Sequence, residues 1–270
     1  MLFRIREGER LRVTAIRFEG NEAFRPARLR QNVRTKVRGL LEKGPLDRET
    51  LERDVAALAN FYRDNGYLDV RTDRDITISP DGQEAIVTFL IDEGPLYTLR
   101  SVRIENIAGD GELLLTAEQV VGLMEINPGD VYALNEVRRS VQAVRNAYWR
   151  MGYVDAEVRD QELRDIDRPQ VDLLLRIREG DRVRTGEVII KGNDLTKQNV
   201  IRREVQVLPD HPLDRVALQE SERRLRATRL FGQAGVNDPR AGAIVTIQPP
   251  SPDMPDHRDV LIEVQETNTG

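Results

Sequence analysis

The sequence predicts an α+β fold made of tandem repeats of a two-layer β-α-α-β-β domain, two helices packed on a three-stranded mixed sheet. Three observations predict it. Arg4-Ile5-Arg6-Glu7-Gly8 returns unchanged as Arg176-Ile177-Arg178-Glu179-Gly180, with Leu90-Ile91-Asp92-Glu93-Gly94 between them. The Glu-Gly pairs begin at 7, 93 and 179, so 86 residues separate neighbours both times. A second anchor keeps that period: Tyr62-Arg63-Asp64-Asn65-Gly66-Tyr67-Leu68-Asp69 faces Tyr148-Trp149-Arg150-Met151-Gly152-Tyr153-Val154-Asp155. Between anchors the apolar spacing runs strand, helix, helix, strand, strand each time.

The first strand of each repeat is marked by Val13, Ile16 and Phe18, by Val102 and Ile104, and by Val188, Ile189 and Ile190. Two of these strands close on Gly-Asn, at Gly20-Asn21 and Gly192-Asn193. A short helix follows. Thr116 with Gln119 reads as a capping box, Thr196 as an N-cap, and Pro26 suits a first helical turn. Turn residues come next: Gly44-Pro45, Asn127-Pro128-Gly129 and Pro209-Asp210-His211-Pro212. Pro45-Leu46-Asp47-Arg48 is seen again at Pro212-Leu213-Asp214-Arg215.

The second helix has the clearest period. Leu51, Val55, Leu58 and Tyr62 share one helical face, and Val137, Val141, Val144 and Tyr148 repeat the spacing. These stripes must cover a sheet. Gly66 and Gly152 fit the position just past a helix, where φ is often positive. The hairpin strands are Val70 to Ile78 with Ala85 to Ile91, Ala156 to Leu163 with Val171 to Ile177, and Ala243 to Ile247 with Val260 to Val264. Pro80-Asp81-Gly82 marks the first hairpin turn. The boundaries expected are 9–94, 95–180 and 181–270, with residues 1–8 the last strand of a preceding unit.

The chain has 270 residues, 39% of them apolar and 32% charged, and a net charge of -5. No apolar run reaches the roughly 18–20 residues of a membrane-spanning helix. Met1 is followed by Arg4 and Arg6 with no apolar leader, so the expectation is a cytosolic protein or a fragment exported by a signal elsewhere. Basic residues are matched by carboxylates, which disfavours nucleic acid. There is no cysteine, hence no disulfide, thiolate metal site or cysteine nucleophile.

These motifs together resemble the POTRA domains of BamA-type outer-membrane assembly factors. The residues that carry the resemblance are the Glu-Gly exits (Glu93-Gly94, Glu179-Gly180), Gly20-Asn21, Gly192-Asn193, and the Tyr-x-x-x-Gly-Tyr turns. Leu230-Phe231 is similar to the Leu-Phe of the barrel-proximal unit, and Glu266-Thr267-Asn268-Thr269-Gly270 to the lead into a transmembrane barrel. The second repeat departs from the pattern, with Glu105-Asn106-Ile107 where Gly-Asn is expected. The resemblance covers the whole chain and implies its barrel-proximal three domains. It implies a periplasmic scaffold that binds unfolded outer-membrane proteins and accessory lipoproteins and passes clients to a covalently continuous β-barrel. The soluble arm of a secretion or translocation barrel is the alternative.

A periplasmic enzyme is a remote alternative, because it needs a clustered catalytic constellation and none is visible. His211 and His257 stand apart beside prolines and read as exposed loop residues. Gly109-Asp110-Gly111-Glu112 lacks the spaced ligands of a calcium loop and reads as a turn. Asp69 and Asp155 read as turn carboxylates, and Trp149, next to the helical stripe, as a candidate contact if exposed. No catalytic residue, cofactor or metal is expected. Partner binding is expected at the first hairpin strands, where an unpaired edge can take a client strand by main-chain hydrogen bonds. In the family that strand is the edge used. Here that assigns Val70, Thr72, Ile76, Ile78, Ala156, Val158, Val245 and Ile247.

Overall fold

The computed structural model describes residues 11–38, 45–109, 111–228, 230–231 and 242–266. The segment Arg4 to Gly8, Gly44, Asp110 and the end from Thr267 to Gly270 lie outside the described residues, and so does the expected strand at 1–8.

The first repeat supplies β1 (Arg12–Glu19), α1 (Pro26–Arg30), α2 (Arg48–Arg63), β2 (Arg71–Ile78) and β3 (Glu84–Asp92). The second supplies β4 (Thr98–Asn106), α3 (Ala117–Gly122), α4 (Leu134–Arg150), β5 (Glu157–Arg164) and β6 (Gln170–Arg178). The third supplies β7 (Arg184–Lys191), α5 (Gln198–Arg202), α6 (Arg215–Ala227), β8 (Ala243–Ile247) and β9 (His257–Val264). The three sheets share one topology, β1-β3-β2, β4-β6-β5 and β7-β9-β8. The last strand of each repeat is therefore central. β1 runs parallel to β3 and β7 to β9, while β2 and β8 are antiparallel to the same partners. Val70 and Ala156 each stand one residue before their strand.

By contact density the chain forms two compact units. One runs to Ser101 and adds Glu125–Arg138 and Glu162–Leu173. The other takes Val102–Met124, Arg139–Gln161 and the chain from Leu174 on. In the first unit Leu29, Leu51, Leu58, Tyr62, Val87 and Phe89 make the core under α2. In the second, Ile201, Leu213, Leu218, Leu225, Val260 and Ile262 do the same under α6. Of the helical stripes, Leu51, Leu58, Val137, Val141 and Val144 are buried as expected. Val55 is only partly buried, because α2 turns Asp54 inward in its place. Truncating Leu58 or Val144 to alanine is expected to cost about 1–4 kcal/mol, since the cavity adds to the lost transfer energy. Unchanged denaturant midpoints for both variants would refute the packing of these helices on their sheets.

The helix ends follow from sequence. Thr116 and Gln119 form a reciprocal capping box, and Pro26 opens α1. Thr196 is not an N-cap. Lys197 takes that position, because the Thr196 backbone is held elsewhere: its N–H by Glu266 (2.6 Å) and its C=O by Asn193 (2.9 Å). The repeated Pro-Leu-Asp-Arg segment starts the long helices. Asp47 accepts the Glu49 and Thr50 N–H groups, and Asp214 accepts Ala217 N–H at 2.9 Å. The Thr50 hydroxyl also holds the Asp47 carboxyl below its usual pKa range. No described helix is long and apolar enough to cross a membrane.

Candidate functional site

The Tyr-x-x-x-Gly-Tyr motif is a helix C-cap. Tyr67 N–H donates to Tyr62 C=O (3.1 Å) and Gly66 N–H to Arg63 C=O (3.1 Å), which is the Schellman pattern. Tyr153 and Gly152 repeat it on Tyr148 and Trp149 at 3.1 and 3.4 Å. The tyrosine rings meet edge-on at 5.7 and 6.1 Å. The glycine carbonyl then receives the following repeat: Tyr97 N–H on Gly66 and Val183 N–H on Gly152, both at 2.9 Å. A Cβ on Gly152 would stand 2.8 Å from Val183 O.

Asp69 and Asp155, two residues past these tyrosines, do more than close a turn. Asp69 accepts Tyr97 Oη at 2.7 Å and pairs with Arg164 at 2.8 Å. Its hydrogen bond, and then burial, push the Tyr97 hydroxyl pKa up. Asp155 takes the Arg258 fork. Gly94 and Gly180 lie against these two aspartates: a Cβ on Gly94 would stand 3.2 Å from Asp69 Cβ, and one on Gly180 3.5 Å from Asp155 Cβ.

The glutamates of the Glu-Gly exits are loop clamps. Glu93 accepts Ala23 N–H (2.9 Å) and Tyr62 Oη (2.8 Å), and Glu179 accepts Leu114 N–H (2.6 Å). In the third repeat Glu266 does this work on Leu195 and Thr196 N–H, at 2.8 and 2.6 Å. The Thr196 hydroxyl, and after it these backbone N–H groups, hold its carboxyl below the ordinary range. Asn21 and Asn193 pin the same loop by donating to Phe24 and Thr196 carbonyls, at 2.8 and 2.9 Å. Asn106 does so without a preceding glycine, donating to Gly111 C=O at 2.7 Å. The final Leu-Phe divides its roles: Phe231 is buried and bridges to Glu266.

The sequence-predicted edge residues lie on the first hairpin strands or one residue before them. Each hairpin's first strand is at a sheet margin. In an antiparallel ladder successive residues alternate in which side their backbone groups face. Ser79 N–H bonds Glu84 C=O, so Thr72, Ile76 and Ile78 face away from β3. Gln248 N–H bonds Asp259 C=O, so Val245 and Ile247 face away from β9. Val158 C=O accepts the Arg145 guanidinium at 2.9 Å, so it faces away from its ladder too. The side chains differ: Val70, Ala156 and Val158 are buried, whereas Ile78 is half exposed. A groove of about 740 Å³ borders β5 between Trp149, Ala156, Val158 and Arg178. A second, of about 430 Å³, borders β8 between Leu218, Glu222, Val245 and Ile247. Trp149 is buried rather than exposed, covered by Arg215 at 4.4 Å from the ring centre.

Among the described residues no three His, Asp or Glu converge to hold a metal ion. His257 is not a loop residue. It begins β9, with Nδ1 on Asp256 at 2.9 Å and Nε2 on Asp210 at 3.1 Å. The hydrogen bond to Asp256, then that to Asp210, raise its pKa. A raised folded pKa stabilises fully below the unfolded value of about 6.5 and is lost as pH rises through the folded one. The melting temperature is therefore expected to fall as pH rises above about 6.5, and His257→Gln to flatten that slope. Equal slopes in both proteins would rule the contribution out.

Three helix-covered sheets of one topology, one from each repeat, define a tandem array of small α+β modules. The POTRA family profile, described as surface antigen variable number repeat, matches residues 11–94, 102–180 and 183–267, and the chain belongs to this family. It is 25% identical over 279 residues to the outer membrane protein assembly factor BamA of Nitratidesulfovibrio vulgaris, covering 100% of this chain and 33% of that protein. It is 27% identical over 272 residues to BamA of Neisseria meningitidis serogroup B, covering 98% of this chain and 32% of that one. The chain thus spans about a third of these relatives' length. Among solved structures, POTRA3-5 of Haemophilus influenzae BamA has the same fold, with a TM-score of 0.66 at 19% identity over 97% of this chain and 99% of that one.

Proposed function

We propose that this chain is the periplasmic POTRA array of an outer-membrane β-barrel assembly factor. In this reading it works by binding, without catalysis, receiving unfolded outer-membrane proteins and accessory lipoproteins and passing clients to a barrel in the same polypeptide. The observation that carries the reading is the repeated margin position of the first hairpin strand, at β2, β5 and β8. A margin strand offers N–H and C=O groups that any extended chain can pair with, whatever its side chains. That tolerance suits a factor handling many client sequences. Relatives named as assembly factors, aligned along the whole chain, support the class. The repeats 9–94, 95–180 and 181–270 are the proposed folding units, since each sheet draws its strands from one repeat.

The test is a proline on an outward-facing backbone position. Thr72→Pro in β2 and Asp160→Pro in β5, two residues on from Val158, remove a donor from the open side and leave the inner ladder intact. Both variants are expected to stay folded and to lose at least about fivefold in affinity for extended client peptides, roughly 1 kcal/mol for one lost main-chain bond. Folded variants that bind peptides and support barrel assembly like the parent would sink edge docking.

A further inference from the structure

The margins at β8 and β5 are not chemically equal. At β8 the α6 pair Glu222 and Arg226, 2.6 Å apart, occupies the open side: Val245 N–H donates to Glu222 at 3.3 Å, and Arg226 donates to Ala243 C=O at 2.8 Å. An incoming strand must displace both of these hydrogen bonds to pair there. At β5 a single guanidinium, from Arg145, rests on Val158 C=O.

Arg145 and its neighbour Arg215 line the same groove. Both flank the Trp149 ring, at 5.9 and 4.4 Å from its centre. Both spend their donors on neutral groups: Arg145 on Gln142 and Val158 C=O, Arg215 on Val154 C=O. Neither has a carboxylate partner among the described residues. The acids beside them are already used, Glu157 by Arg178 and Arg159 and Asp155 by Arg258. The groove along β5 therefore holds two half-buried positive charges without a counterion.

We infer that the β5 groove selects extended client segments that carry an acidic side chain opposite Val158. This rests on the edge-docking reading and names its substrate class. Residues directly opposite in a ladder place their side chains on the same face, with Cα atoms about 5.5 Å apart in a hydrogen-bonded pair. Val158 turns its side chain inward, so the residue opposite projects toward α4, beside Arg145. The client's N–H takes over Val158 C=O and frees Arg145, which then meets the client's carboxylate with Arg215 alongside. A guanidinium exchanging a carbonyl for a carboxylate gains a charge-assisted bond. The arginine thus covers the margin when it is empty and rewards an acidic strand when it is filled.

The experiment uses the whole 270-residue chain and two alternating apolar-polar peptides of about nine residues, identical except for a central Glu or Gln. Trp149 is the only tryptophan, so its fluorescence reports on the groove directly. The Glu peptide is expected to bind about tenfold more tightly and to shift the Trp149 emission. The preference should shrink below about twofold in Arg145→Gln/Arg215→Gln and as salt rises. Equal binding of both peptides to the parent, with Asp160→Pro weakening both, overturns the acidic selection and leaves edge docking standing. A Glu preference that survives in the folded double variant places the selectivity elsewhere and also overturns it. Binding of either peptide that Asp160→Pro leaves untouched removes the edge-docking reading itself. Should the double variant fail to fold, the Glu-against-Gln comparison and the tryptophan signal on the parent still decide.

Discussion

Asp54→Ala is expected to destabilise the first repeat by about 3–5 kcal/mol, with a matching fall in its denaturant midpoint. Asp54 is 1% exposed on the inner face of α2. Its carboxylate accepts Arg34 N–H at 2.7 Å, Thr35 N–H at 2.9 Å and the Thr35 hydroxyl at 2.5 Å. Thr35 is itself buried, so alanine leaves donors with neither the carboxylate nor water. Each such orphan costs about 1–3 kcal/mol, against which the better helix propensity of alanine returns only a few tenths. The other repeats supply a control. Ser140 and Ser221 are fully buried at the corresponding place, and Ser221 Oγ accepts Gln206 N–H at 3.0 Å while donating to Ala217 C=O at 2.7 Å. Asp54→Ser should therefore recover part of the loss, by satisfying one donor of the three. If Asp54→Ala unfolds at the parent's denaturant concentration, the carboxylate does not anchor the segment at 34–35.

What was legible in the sequence is what backbone chemistry dictates locally. Gly66 and Gly152 past a helix, Pro26 at its start and the capping box at Thr116 each solve a problem set by the chain within a few residues. The period of 86 residues then repeats the helix-ending reading, as at Gly66 and Gly152. Where distant segments meet, the sequence was silent. Asp54 lies among apolar residues and looks like a solvated acid, because its partners at 34–35 approach only when the sheet and helix pack. Thr196 looks like a better N-cap than Lys197, but its backbone is already committed to Glu266 and Asn193. Trp149 reads as a possible exposed contact, since the Arg215 that covers it lies 66 residues away. The inequality of the β5 and β8 margins has the same origin. Arg145, Glu222 and Arg226 belong to helices, and only the folded repeat lays them along a strand. A signal for Glu266 was available: it follows β9 as Glu93 follows β3, one residue off the period of the other two exits.

Gly20→Ala is expected to cost about 3 kcal/mol or more, while Gly82→Ala costs only about 1 kcal/mol. Both glycines have a left-handed backbone, with φ of 81° and 71°. The conformational penalty for an L side chain is therefore similar, about 1–2 kcal/mol. What differs is the surroundings. A Cβ on Gly82 meets nothing within 4 Å, whereas one on Gly20 would stand 2.0 Å from Ile91 O. That oxygen belongs to the central strand β3, whose position is fixed by pairing with β1 and β2. No side chain can swing aside, so the loop after β1 must pull away from β3. Asn21 and Glu93 then lose their grip on it, because their bonds to Phe24 and Ala23 depend on the same turn. Gly192 has the same geometry, with φ of 80° and Val264 O at 2.1 Å, so Gly192→Ala should behave like Gly20→Ala in the third repeat. Chemical denaturation of the three variants separates the contributions. The open-site variant measures the backbone penalty alone, and the excess in the other two measures the close approach. Equal losses at all three glycines would mean that Gly20 and Gly192 serve only their positive φ, and that the loop has room the structure does not give it.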